Sequence, residues 1–420
     1  MTETARFAPL GLVDGRPRWA STRPAQVWRE VLSRRLATQR LTGDPPRTAA
    51  EVVRVLGCVQ SQEYGHALWS LGMRTSGLTV ADVQAEFDSG SFLRTHILRP
   101  TWHFVAAEDI RWILQVTASR VQKLNQTIYR QHGLDPATLE RGLAIIIEEL
   151  EGGRYRTRVE LARALADRGL ASQGIGLAYI VMNAELAGVI CSGPVRGAQQ
   201  TYALLEERVP RTADTLRASA NRAPPHGGGA SGGVLSSASD DDGGGFQARC
   251  ASSARKADIP ELAARFFLGH GPASVQDLAR WSSLTVGQCR DALDVIKDQL
   301  GCISVEREEL WFDPAAPPPI PVPGALLMPL YDELTLSYPV INFPQSIGHP
   351  HPPGEDLFVG CVIIAETNVG LWRRTLRGRK MIMEITVSAG VLPKSRDILE
   401  AAAADLATFL AKELELTITG

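Results

Sequence analysis

Three places in this chain start a helix with the same chemistry. Thr48-Ala-Ala-Glu51 precedes VVRVLG, Thr157-Arg-Val-Glu160 precedes LARALADRGL, and Ser274-Val-Gln-Asp277 precedes LARWSSL. In each, a hydroxyl that can cap the first turn stands three residues before an acid that can reach back, and apolar residues then recur at helical spacing. A second helical run follows each: LTVADVQAEFDSG, GLAYIVMNAELAGVI and LTVGQCRDALDVIKDQLG. A strand-like pair follows that: FLRTHILRPTWHFV, VICSGPVRGAQQTYALL and CISVEREELWF. Helix, turn, helix and β-hairpin is the winged-helix layout. The repetition predicts three tandem winged-helix modules, over residues 22–130, 131–215 and 255–313.

The remainder reads differently. ALLMPLYDELTLSY, DLFVGCVIIAETNVGLWRRTL and KMIMEITVSAGVL are apolar or β-branched runs. They predict a β-rich domain over 324–420, an antiparallel sheet or small barrel. The run SRDILEAAAADLATFLAKEL predicts a closing helix with Ile398, Leu399, Leu406, Phe409 and Leu410 on one stripe. The fold class is therefore α+β. Residues 218–253 are rich in Gly and Ser, with almost no large apolar side chain. They bury too little surface to fold, so 216–254 is expected to be a flexible linker. Pro314–Pro323 is expected to be a stiff polyproline connector.

Composition removes several function classes. With 44% hydrophobic and 21% charged residues, the chain is neither disordered nor a coiled coil. It has no run of 18 apolar residues, so no membrane span is expected. MTETARFAPL lacks the basic and apolar regions of a secretory signal, which points to the cytoplasm. The six cysteines form no CxxC pair, the eight histidines no HxxxH or HExxH spacing, and a phosphate-binding glycine loop is absent. No metal and no cofactor are expected. Residues 1–217 hold 27 basic and 22 acidic side chains, the rest 17 and 24, so a polyanion would meet the N-terminal half. Base reading by the second helices fits poorly. Gly176–Ile190 has no Arg or Lys, and the third copy sets Arg290 and Lys297 among Asp291, Asp294 and Asp298. The modules read as packing units of a curved body.

The candidate chemistry lies at Val59-Gln60-Ser61-Gln62-Glu63, at the end of the first capped helix. Residues i and i+2 share a face only in extended chain, so Gln60 and Gln62 can meet one water only if the helix ends before them. Downstream, an extended Leu98–Val105 would put Arg99, Thr101 and His103 on one face. Leu98, Pro100, Trp102 and Phe104 would fall on the other, as core. His103 reads equally as a DNA contact or as a hydrogen-bonded structural histidine. Arg94 and His96 share this wing. Trp372-Arg373-Arg374, continuing through Arg377, Arg379 and Lys380, is either a phosphate-binding cluster or a solvated hairpin tip.

LGCVQSQEYGHALWSLGMRT, LRPTWHFVAAEDIRWIL, LMPLYDELTLSY and GLWRRTL together resemble the AlkZ-like family of bacterial DNA glycosylases. The resemblance covers nearly the whole chain except the extreme N-terminus and the Gly/Ser segment. It implies three winged helices and a β-rich part wrapped into a C shape around duplex DNA. It further implies a monomer that hydrolyses the N-glycosidic bond of cationic N7- or N3-alkylated purines, in the nucleoid. One branch of the family excises interstrand crosslinks and natural-product adducts and can confer antibiotic self-resistance. Gln60 and Gln62 occupy the catalytic slots of the family's Gln-aliphatic-Gln pattern, with Ser61 departing from the aliphatic middle residue. Arg94, Arg99, Thr101, His103, Arg373 and Arg374 are the expected DNA contacts. Tyr331-Asp332-Glu333 matches a family segment and is expected to have a structural, hydrogen-bonding role. A non-catalytic winged-helix DNA-binding regulator is the alternative reading, and a protein-interaction scaffold is a third.

Overall fold

The computed structural model describes residues 22–170, 173–211, 258–305, 308–316, 318–322, 324–338, 359–388 and 390–420. The expected linker, 216–254, lies outside the described residues.

One order of elements occurs three times. The first set is α2 (Ala49–Leu56), β1 (Cys58–Gln60), α3 (Tyr64–Gly72), α4 (Val80–Ser89), β2 (Phe92–His96) and β3 (Trp102–Ala106). After α5 (Ile110–Gln131) come α6 (Pro136–Leu150), β4 (Arg156–Thr157), α7 (Arg158–Asp167), α8 (Gly174–Leu186), β5 (Ile190–Ser192), β6 (Thr201–Leu204) and the short α9 (Leu205–Arg208). The third set is α10 (Asp258–His270), α11 (Val275–Ser282), α12 (Val286–Ile296), β7 (Gly301–Val305) and β8 (Glu308–Phe312). The sheets run β1-β3-β2 and β4-β6-β5. In the third set a single bridge, Ala273 to Trp311, takes the place of the first strand.

All three expected capping boxes form, at Thr48/Glu51, Thr157/Glu160 and Ser274/Asp277. They do not occupy equivalent positions, which corrects the repeat as read from the sequence. Thr48 caps α2, the helix before the short strand. Thr157 and Ser274 cap α7 and α11, the helices after it. The counterpart of α7 and α11 in the first set is α3, whose cap residue Glu63 makes no side-chain capping bond. A capping box reports a helix start and nothing about the order of the helix in a module.

The C-terminal block is an open five-stranded sheet, ordered β13-β12-β11-β10-β9. Its strands are β9 (Ala325–Met328), β10 (Gly360–Ile364), β11 (Thr367–Arg377), β12 (Lys380–Val387) and β13 (Glu413–Thr419). The short α13 (Glu333–Leu336) follows β9, and α14 (Leu392–Phe409) joins β12 to β13. The expectation of an antiparallel sheet or barrel is corrected: β13 runs parallel to β12, and no barrel closes among the described strands. A parallel pair needs a crossover connection of a dozen or more residues, and α14 supplies it. The sequence reading ended on the helix and missed β13. The alternation Leu414, Leu416, Ile418 was its signal, since these three pack on the core while their neighbours face water.

Helix α1 (Thr22–Thr38) packs on the third set, with Arg35 Nε donating to Pro272 O at 2.7 Å and Val31 meeting Val305 and Leu310. Two large cores meet at the first sheet. Cys58, Leu93 and Val105 point into one core, with α5 and the third set; Val59, Phe92 and Phe104 point into the other, with the C-terminal sheet and α14. Every residue of β1 and β2 is buried. Strand β1 is therefore the seam between two apolar layers, and it carries the candidate motif to its end.

Candidate active site

Helix α2 stops at Leu56 because Gly57 turns the chain with φ 72°, a conformation that favours glycine. The chain is then extended through Cys58–Gln60, with Gln60 opposite His103, and Ser61 N donates to Trp102 O at 2.8 Å. This meets the geometric condition for Gln60 and Gln62: the helix ends before them.

The joint after β1 is unlike its two counterparts. Thr157 is both the last residue of β4 and the cap of α7, and Ala273 is followed directly by the cap Ser274. In the first set, Ser61-Gln62-Glu63 intervene between β1 and α3. The motif thus fills an opening at a joint that the other two sets close with a capping box.

Gln60 is 9% exposed, and its backbone N–H donates to Glu333 Oε1 at 2.8 Å. Its side-chain Oε1 is buried and accepts no hydrogen bond from the protein. Gln62 is half-buried, and its Oε1 accepts a long bond from Trp102 N at 3.4 Å. Ser61 Oγ is buried and unspent as well.

Arg94, expected as a DNA contact, lies beneath this segment. It is 8% exposed, and its guanidinium donates to Ser61 O at 3.1 and 2.8 Å and to Gln62 O at 3.3 Å. It stacks 4.4 Å over the Trp102 ring. The nearby His96 pairs with Glu185 of α8 at 2.5 Å, and Glu185 also accepts from Trp102 Nε1 at 3.3 Å. Both residues of the wing are spent inside the protein.

Arg99 and Thr101 sit in the turn between β2 and β3, and His103 lies inside β3, fully buried. Because Thr101 O can only accept, His103 Nδ1 donates to it, at 2.9 Å. The ring's Nε2 is then the acceptor for Arg99 Nη2, at 3.3 Å. Burial, and then the charge of Arg99, pull the His103 imidazole well below its usual range, so the ring is neutral. Arg99 Nε and Thr101 Oγ1 are buried with no protein partner. The opposite face departs from expectation in part. Leu98 and Phe104 are core, but Pro100 is exposed and Trp102 half-exposed, because the chain turns at 99–101 and strand alternation does not run through a turn.

A family model described as DNA glycosylase AlkZ-like matches residues 53–409. The chain belongs to the AlkZ-like DNA glycosylase family. A curated relative, the interstrand DNA cross-link repair glycosylase of Streptomyces sahachiroi, is 27% identical over 185 residues, 42% of this chain. The match spans about half, 49%, of that relative's length. The solved structure of the Streptomyces sahachiroi DNA glycosylase AlkZ is 20% identical, covers 93% of this chain and 99% of its own, and superposes with a TM-score of 0.68. That likeness shows a shared fold.

In this AlkZ-like chain the two adjacent arginines of β11, Arg373 and Arg374, have different surroundings. Arg373 is exposed and pairs with Glu384 at 2.7 Å. Arg374 is half-buried: Nη2 donates to Gly65 O at 2.9 Å in the first turn of α3, while Nη1 has no partner. Burial lowers its guanidinium to about 10, which leaves it charged at neutral pH. His66, one residue on, stacks on Trp372 and accepts from Leu330 N through Nδ1. Burial, then Arg374, lower this ring to about 4. Among the described residues, no group of three or more His, Cys, Asp or Glu is placed to hold a metal ion, and no helix is long and apolar enough to cross a membrane.

Proposed function

We propose that this chain is a monofunctional DNA glycosylase for purines made cationic by N7 or N3 alkylation, including crosslinked or bulky adducts. The observation that carries the reading is the buried, unspent Oε1 of Gln60 at the end of an extended strand, two residues before Gln62. Amide oxygens can accept the protons of a water and so aim its lone pair. Water adds to C1′ of the sugar, and the N-glycosidic electron pair leaves with the purine and neutralises its charge. The water's proton passes to solvent. A cationic base leaves without being protonated, so a non-titrating glutamine suffices, and an undamaged neutral purine stays in place.

The other residues have supporting roles. Arg94 positions the motif through its carbonyls. Arg99 and Thr101, with unspent buried atoms in the adjoining turn, face the lesion or the flanking phosphate, and His103 orients Arg99. Arg374, beside the first turn of α3, and Arg373 bind phosphate. The three repeats are winged helices that, with the C-terminal sheet, wrap the duplex as a monomer in a C shape. Base reading by the second helices is not required, and the C-terminal half of α8, Ile180 to Leu186, is buried throughout.

The test is base release from duplex DNA carrying N7-methylguanine and, in parallel, an N7-linked interstrand crosslink, read as alkaline cleavage. Wild type should leave abasic sites, and a folded Gln60→Ala/Gln62→Ala double variant should not. Duplex binding without abasic sites on either substrate would overturn the reading in favour of a binding protein.

A further inference from the structure

The segment from Leu56 to Gln60 is held at both ends by one cluster of buried side chains from elsewhere in the molecule. At its start, Leu56 O accepts from His270 Nε2 at 2.9 Å. His270 Nδ1 lies 3.1 Å from Ser337 Oγ, and Ser337 Oγ lies 3.1 Å from Glu333 Oε2. At the end of the strand, Glu333 Oε1 accepts from Gln60 N at 2.8 Å. Trp281 Nε1 adds a third donor to Glu333, at 3.2 Å. Glu333, Ser337, His270 and Trp281 are all fully buried.

The protons can be counted. A carbonyl only accepts, so His270 Nε2 carries a hydrogen, and burial lowers this ring to about 4, which leaves Nδ1 bare at neutral pH. Ser337 has one hydroxyl hydrogen and stands between two acceptors, His270 Nδ1 and the Glu333 carboxylate. A carboxylate costs too much to bury for packing alone, and an apolar residue would fill the same space. Here it is kept where it can make a charge-assisted bond to the backbone of Gln60.

The geometry points to Glu333 as the positioning residue for Gln60, holding the end of β1 through its bond from Gln60 N so that the Gln60 amide keeps its aim while water attacks the sugar. This rests on the glycosylase reading above. Its consequence is a pH dependence in a reaction whose glutamines do not titrate. Burial raises the Glu333 carboxyl above its usual range, Asp332 adds to this, and Arg99 and the bonds from Gln60 and Ser337 oppose it. Arg74 neutralises Asp332, while Cys58, Tyr338 and neutral His270 also face the group. The ionised form holds Gln60 best, and it is lost as pH falls through this raised value.

The experiment measures single-turnover base release and duplex affinity across the acid range for wild type, Glu333→Gln and Ser337→Ala. Glu333→Gln should cleave about tenfold more slowly or worse, with affinity unchanged and the acid limb gone. Ser337→Ala keeps the carboxyl but removes a bond that holds it down, so the acid limb should move to higher pH. If Glu333→Gln does not fold, Ser337→Ala decides alone. Folded variants with the wild-type rate and the wild-type profile overturn the inference while leaving the glycosylase intact. A wild type that releases no base from either duplex overturns the glycosylase reading first, and the inference falls with it.

Discussion

Arg94 grips Ser61: two nitrogens of one guanidinium reach its carbonyl oxygen, at 3.1 and 2.8 Å, and the outer one also reaches Gln62 O. A lysine has one ammonium and cannot reproduce this fork or the stack on Trp102. Arg94→Met should lose about 2 kcal/mol of stability in a urea melt, since it leaves buried carbonyls unpaired. Arg94→Lys should fall between it and wild type, and both should slow base release more than they weaken duplex binding. Equal loss of rate and affinity would instead mark Arg94 as a DNA contact.

Asp332, beside Glu333, is also a buried carboxylate, and its chemistry is opposite to that of its neighbour. Both of its oxygens accept from Arg74 at 2.8 Å, with neither side chain exposed. Burial alone would raise this carboxyl, but Arg74, then Ser70 and the Leu334 N–H, hold it below the usual range. The pair's contribution is therefore present above the unfolded value of about 3.9 and lost as pH falls through the lower folded one. Asp332→Asn should cost about 3–5 kcal/mol at neutral pH, because it strands a buried guanidinium. Its stability should also fall less steeply than wild type below about pH 4. Urea titrations at several pH values read both.

Gly72 at the end of α3 faces the Phe409 ring of α14, and a methyl group built there would fall within that ring. Phe409 is buried against Trp69, so it cannot swing away freely. Gly72→Ala should destabilise by about 1–3 kcal/mol, the range for overpacking a core. A melting temperature equal to that of wild type would show that α14 can shift.

Arg374 is charged, half-buried and has one unspent nitrogen at the first turn of α3, whereas Arg373 is paired with Glu384. If each binds one phosphate, Arg374→Ala should lower the slope of log affinity against log salt by about 0.9. Arg373→Ala should change it less, because Glu384 already competes for that charge. Fluorescence anisotropy at a series of salt concentrations separates the two.

Much of this protein could be read before folding was considered. The capping boxes at Thr48, Thr157 and Ser274 formed because a hydroxyl and an acid three residues apart need only each other. The helix was expected to end before Gln60, and Gly57 provided the break. The structural, hydrogen-bonding role expected of Tyr331-Asp332-Glu333 also holds for the two acids, although their partners were not foreseeable.

What only the tertiary structure decided is who faces whom. Arg94 was expected to contact DNA, and the structure instead buries it against the carbonyls of Ser61 and Gln62, just after β1. Gln60 meets Glu333 across 273 positions of sequence, and no local pattern connects them. Helix starts and strand alternation come from forces acting within a few residues. Burial, shared protons and the aim of a side chain depend on which surfaces pack together, and in this chain the candidate site is assembled where two such surfaces meet.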